Sequence, residues 1–466
     1  MISDPWFLAC VLSTLAGTSL AVLLVAHAAA RPDLLRRHTF FIFFFVVVTA
    51  YLQLAPLASL LAPLPEVLIV YRIPSPRHYL REYALVQALC LVFFQLPLFL
   101  AYVWPDRRPA PERTLVVRQR RGLLLAVTSL ALAAGVLAVI ARNNLWYLRV
   151  GADVLVQRIV ALPFADYLIF RSYQETALLL IGVLFFAARR AEGRTRRWLT
   201  AAFAVNAALT GTYNLLVSRW FVVMLSVCLG GWWLATRRRL YWTPRALGLL
   251  IGGGLLTCYL MVLVVNVRNA GWQNAIDAGV LNPFGSGIFA DSQGVARLNC
   301  VDMMARMLPG IQEKGPTFGA SWGQVIWLGR RFVDPEGFDR YRLSMATTAK
   351  SHLMQEYLNW QLPDYFSCTA TDLFGTFHVA GLLVGALALA GLFRFAGRAL
   401  VTPRSGTHVI LGIFVLTQIL IFDQEAATAF FGWPRRLPML ALLLLLNPFT
   451  TVAPPRVDPA PSVPRP

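Results

Sequence analysis

Apolar residues in this chain come in long runs rather than in alternation. Runs of about 20 apolar residues, the length that crosses ~30 Å of hydrocarbon, recur along nearly all of it. They predict helices near 6–28, 39–62, 83–104, 122–141, 174–188, 198–217, 220–236, 246–266, 372–393, 406–422 and 437–450. The expected fold is an all-α polytopic membrane protein with about eleven transmembrane helices, eight within 1–266 and three within 372–450. The first run is read as a retained helix, because "MISDPW" offers no basic segment ahead of it and the positive charges follow it instead. Between the eighth and ninth helices lies one large outer loop, 267–371. Its stretches "GVARLNCVDMMARMLPGI" and "TAKSHLMQEYLNWQL" carry Leu, Met, Trp and Tyr at helical spacing, so the loop is expected to be partly helical. The proline-rich tail, 451–466, is expected to be unfolded.

Composition agrees with the pattern: 57% of the residues are hydrophobic and 14% charged, against roughly 45–50% and ~25% in soluble domains. The formal net charge of +19 raises the question of nucleic acid. The position of the charge answers it. All but two basic residues, Lys314 and Lys350, are arginine, and five short loops (31–37, 106–121, 189–197, 237–245 and 394–404) hold 21 arginines against four acids. These loops alternate with the predicted outer segments, which is the positive-inside pattern. It places them in the cytoplasm, with the N-terminus outside and the C-terminus inside. Nucleic acid is therefore not an expected partner; membrane lipid is.

Arg219 sits among some twenty apolar residues in "GTYNLLVSRWFVVMLSVCLGGWW". Two readings are open. It snorkels to the outer headgroups, or it faces a cavity and binds an anion, for which a planar, permanently charged guanidinium is well suited. Arg72, Arg158 and Arg268 fall on the same side in this topology, so all four are candidates for one anionic site. Cys300 and Cys368 stand near the two ends of the outer loop, either as a disulfide or as two buried free thiols. No His/Cys cluster has metal-ligand spacing, and there is no phosphate-binding GxxxxGK[ST] loop. No metal or other cofactor is expected.

Three motifs carry a resemblance to a known family. "VLVQRIVALPFADYLIFRSY" has Arg158, Pro163 and Tyr167 placed as in the Arg-Ile, apolar, Pro, then Tyr segment of O-antigen polymerase-like proteins. "SRW" at 218–220 is similar to that family's Ser-Arg helix start. "TDLFGTFHVAGLLVG" is similar to its aromatic-x-x-Phe-Gly-x-x-Gly lead into a late helix through Phe374, Phe377 and Gly381, but has Phe374 where Tyr is common and His378 where Gly is common.

The resemblance implies a GT-C-like, metal-independent glycosyltransferase of the bacterial inner membrane. At the periplasmic face it would polymerise undecaprenyl-pyrophosphate-linked oligosaccharides into surface polysaccharide, with a chain-length regulator as a partner. The four arginines would hold the pyrophosphate. The reaction also needs a base near the acceptor hydroxyl. The candidates are His352, Glu356, Asp372 and His378. His352 comes first, because the related sugar ligases carry a functional His in the large outer loop, and Glu356 lies one helical turn further on the same face. Against this, a lone loop histidine is commonly a surface or packing residue, and His378 can be a packing variant. Two other functions stay open: an O-antigen ligase acting on lipid A core, and a lipid-linked-oligosaccharide flippase, which would want deep charges and inverted repeats.

Overall fold

A computed structural model describes residues 4–61, 76–104, 114–145, 158–159, 161–214, 219–236, 252, 256, 299–319, 322, 349–359, 368–420 and 436–452. Arg72, Arg268 and almost all of the helix expected at 246–266 lie outside the described residues, as does the tail beyond 452.

The chain opens with α1, Pro5–Ala30, which Asp4 caps by accepting from the Trp6 amide at 2.8 Å. Pro5 sits at the first helical position, where its missing N–H costs nothing. The second span joins α2, Pro32–Thr49, to α3, Ala55–Leu61, through a π-helical turn at Ala50–Leu54. The third is built the same way. After a 3₁₀ turn at Pro76–Tyr79, α4 (Leu80–Cys90) passes through a π turn at Leu91–Gln95 into α5 (Leu96–Val103). Then come strand β1 (Thr114–Val117), α6 (Gln119–Arg142), α7 (Phe164–Arg190), α8 (Gly193–Asn214) and α9 (Arg219–Thr236). Residues within 267–371 form α10 (Cys300–Lys314) and α11 (Ala349–Leu358). The chain returns through α12 (Thr369–Val401), α13 (Gly406–Ile419), α14 (Leu437–Leu445) and strand β2 (Phe449–Val452).

Six stretches are long and apolar enough to cross a membrane: Pro5–Ala30, Asp33–Leu61, Arg77–Val103, Gln119–Arg142, Phe164–Arg190 and Thr369–Val401. Shorter apolar helices are Met224–Thr236 and Gly406–Ile419. The protein is therefore a helical, multi-pass membrane protein. At the C-terminal end the expected helix 437–450 is corrected. It stops at Leu445, because Pro448 cannot donate to a continuing helix and Asn447 turns its carboxamide to the Phe449 amide, 3.1 Å away. β2 then pairs antiparallel with β1, Thr114 opposite Val452 and Val117 opposite Phe449. Both strands are short and rich in β-branched residues.

The first three spans are joined by amide side chains. Gln53 and Gln95, each within a π turn, meet where Gln53 Nε2 donates to Gln95 Oε1 at 2.6 Å. Gln87 Nε2 donates to Gln53 Oε1 at 3.0 Å and to Thr14 Oγ1 at 2.9 Å, and Gln95 Nε2 to Thr49 Oγ1 at 3.0 Å. All three glutamines are fully buried. In hydrocarbon such a network ties helices together, because each amide otherwise goes without a partner. Each π turn adds a residue to its helical turn and re-aims the side chains there.

Contacts at the helix ends sort into two sides. On one, the predicted cytoplasmic ends meet: Arg36 Nε donates to the Ala235 carbonyl at 3.3 Å, Arg394 to that of Trp104, and the Arg118 amide to that of Pro448 at 2.8 Å. Gly397 lies so close to Arg37 that an added Cβ would overlap the Arg37 carbonyl oxygen. On the other side Arg77 Nη2 donates to the Leu60 carbonyl at 2.9 Å, and α10 and α11 pack there. We refer to these as the arginine-rich side and the loop side.

Candidate functional site

α10 is amphipathic and buries Cys300, Val301, Met303, Met304, Met307, Leu308 and Ile311. Asn299 starts it, accepting from the Asp302 amide at 3.2 Å and donating to Tyr83 Oη at 2.6 Å. Its charged end docks on the top of the third span. Asp302 and Arg306, with side chains 9% and 6% exposed, are paired at 3.0 Å. Tyr79 donates its hydroxyl to Asp302, and its ring lies under the Arg306 guanidinium at 4.4 Å. Arg306 is thereby a buried cation held by a carboxylate and an aromatic face, a geometry that suits guanidinium.

Beside α10 the chain re-enters through α12, and α12 is broken. Residues 369–377 form one helical segment with 369–376 fully buried. His378 then takes φ 55°, ψ −141°, and the helix resumes on a new axis. That backbone region belongs essentially to glycine, and holding another residue there costs about 1–3 kcal/mol. The break frees carbonyls at the end of the first segment, and residues from the loop satisfy them. The Phe318 amide donates to the Thr376 carbonyl at 2.9 Å, and Tyr357 Oη donates to that of Gly375 at 3.1 Å and of Gly315 at 2.9 Å. Burial, reinforced by the Glu356 charge, pushes the Tyr357 phenol up to about 12. The bend also turns the Leu373 carbonyl onto Gly381, where any Cβ would overlap it.

Asp372 lies in the buried first segment, 2% exposed, and its Oδ1 accepts from Trp322 Nε1 at 2.9 Å and from Thr376 Oγ1 at 3.1 Å. Trp322 meets the Phe377 ring edge-to-face at 5.1 Å, and Phe374 lies against the His378 imidazole at 4.9 Å. The loop side of α12 thus gathers two titratable groups, Asp372 and His378, among aromatic rings.

The residues expected to do chemistry fare differently. His352 is half-buried on α11, next to Leu353, which packs on Gly375 of the broken helix. Glu356 is exposed and lies 3.6 Å from Lys314 Nζ, so its described partner is a lysine of α10. Arg158 donates to the Asn144 carbonyl at 2.8 Å, beside a buried Asp166 that pairs with Arg142 and accepts from Asn143 at 2.9 Å. It closes the α6–α7 connection, and no described contact joins it to the α12 break. Arg219 opens α9, with its side chain outside the described residues. Of the two alternatives for Cys300 and Cys368, the structure holds two separate buried thiols and not the disulfide. Each is used locally: Cys300 starts α10, and Cys368 caps α12 with its sulfur 3.4 Å from Thr371 Oγ1.

Trp322, Tyr357 and the Tyr79–Asp302–Arg306 cluster were not singled out from sequence. Asp302 and Arg306 left a signal, opposite charges one turn apart in an otherwise apolar helix. Trp322 and Tyr357 left none, since their partners are distant backbone and carboxylate groups. Together these features define a multi-pass helical membrane protein with an ordered helical cap over a broken helix. No family model matches the chain, and no curated protein or solved structure matches it either.

Proposed function

We propose that this chain is an integral membrane glycosyltransferase of about eleven spans and GT-C-like architecture. It polymerises undecaprenyl-pyrophosphate-linked oligosaccharide repeat units at the periplasmic face of the bacterial inner membrane. The observation that carries the reading is a coincidence of place. The stretch 371–385, which resembles the polymerase lead into a late helix, is the stretch where α12 breaks and sets Asp372 and His378 beneath the loop helices. Buried titratable groups among aromatic rings are a common composition for a ligand site. Arg72, Arg158, Arg219 and Arg268 are assigned to the lipid pyrophosphate, whose departing charge arginine stabilises without changing its own protonation.

The test is the ladder of surface polysaccharide from a deletion strain, complemented with wild type or Arg219→Ala at matched protein levels. The expected deletion phenotype is lipid A core capped by a single repeat, with the ladder restored by wild type and not by Arg219→Ala. Bare core with long chains retained on the carrier lipid would replace polymerase by ligase. An unchanged ladder would remove this polysaccharide as substrate and bring back the flippase.

A further inference from the structure

His378 combines two unfavourable features. Its backbone lies where glycine is at ease and other residues are strained, and its Nε2 is buried with no hydrogen-bond partner among the described residues. A glycine at this position would remove both. Yet the surrounding structure fixes the residue firmly. Loop amides and Tyr357 hold the carbonyls just before it, Gly381 admits the bent Leu373 carbonyl, and Phe374 sets the ring plane at 35° to its own. Among the described residues, then, an over-determined backbone holds a polar atom without a partner, as a group set aside for a ligand would be held. Phe374 against the imidazole, and the Trp322–Phe377 ring pair at the preceding residue, suit the apolar C–H faces of a sugar, and Asp372 adds a carboxylate within the same segment.

We propose that His378, rather than His352, is the general base of the reaction, contacting the acceptor hydroxyl of an incoming saccharide through Nε2; this rests on the glycosyl-transfer reading above. The role requires the tautomer with the proton on Nδ1. Nε2 takes the hydroxyl proton as that oxygen bonds to the anomeric carbon of the donor sugar. The anomeric carbon–oxygen bond to pyrophosphate breaks, and its electron pair leaves with the lipid pyrophosphate. The proton on His378 then passes to water or to the departing phosphate, restoring the base.

The experiment compares full-length wild type, His378→Gly and His378→Asn in detergent, measuring thermal melting and transfer between lipid-pyrophosphate-linked repeat units. Asn keeps a side chain at the strained position, so it tests the loss of the imidazole with the backbone strain retained. His378→Gly is expected to melt a few degrees above wild type. Both variants are expected to lose about 10²-fold or more in rate, the usual worth of a general base. Imidazole added to His378→Gly should restore part of that rate, in proportion to its free-base fraction. A rate within about threefold of wild type would overturn the assignment and leave the transfer reading standing. So would a lost rate that imidazole does not restore, which marks a structural role. A melting point below that of wild type would overturn the argument from strain. Absence of transfer by wild type, with an unchanged ladder in the deletion strain, would overturn the glycosyl-transfer reading itself.

Discussion

Gly397 and Gly391 share α12 and meet opposite surroundings. A Cβ at Gly397 would overlap the Arg37 carbonyl oxygen, a backbone atom of a neighbouring helix, whereas at Gly391 nothing lies within 4 Å. Gly397→Ala should therefore push α12 off α2 and lower stability by about 1–3 kcal/mol. Gly391→Ala should gain up to about 0.5–1 kcal/mol from its lower backbone entropy. Melting of the two variants in one detergent checks both, and equal shifts would refute the close approach. Residue-level chemistry was legible in part. Asp372 and His378 were candidates from their types and their motif, and the i,i+4 placement of His352 and Glu356 on a helix is as expected. What the sequence could not carry was long-range pairing: Glu356 faces Lys314, and Arg158 turns back to its own connection.

Among elements, the first three spans depend on one another through Gln53, Gln87, Gln95, Thr14 and Thr49. Replacing Gln53 alone by Leu takes one partner each from Gln87 and Gln95, which keep only their bonds to Thr14 and Thr49. The cost should be about 1–2 kcal/mol, given ~0.6 and at most ~1.7 kcal/mol for single interhelical hydrogen bonds in membranes. Replacing all three glutamines by Leu should recover part of that loss, because no unpaired amide is left. Chemical denaturation of the single and triple variants measures the difference, and a triple variant worse than the single would contradict it. Most helices were legible because apolar length alone predicts them. The π turns and the break at His378 were not, because helical apolar spacing runs through all three without interruption. Nor was β1, whose four residues sit inside a loop recognised only by its charge.

At the scale of the molecule, contacts at the helix ends segregate into the two sides that the arginine pattern predicts. Which side faces outward is a matter for labelling. Phe318 is 76% exposed on the loop side, and Arg194 is exposed on the other. The five described cysteines are all buried, and the parent protein, which also carries Cys258, sets the labelling background. In spheroplasts, an impermeant maleimide should modify Phe318→Cys at once and Arg194→Cys only after lysis. The reverse order would invert the topology and remove the proposed periplasmic site. The number of spans was less legible than their existence, since α8 carries arginines in its first turns and α14 is too short to cross alone. The β1–β2 ribbon has a consequence for how the chain is made. β1 leaves the ribosome early and finds its partner only when Phe449–Val452 has been synthesised, some tens of seconds later at about 5–20 residues per second. Through that interval an unpaired strand edge is open to any other chain nearby. Pairing with β2 ends the exposure and clasps the last described segment to β1, so this contact closes only after all the helices between the two strands have been made.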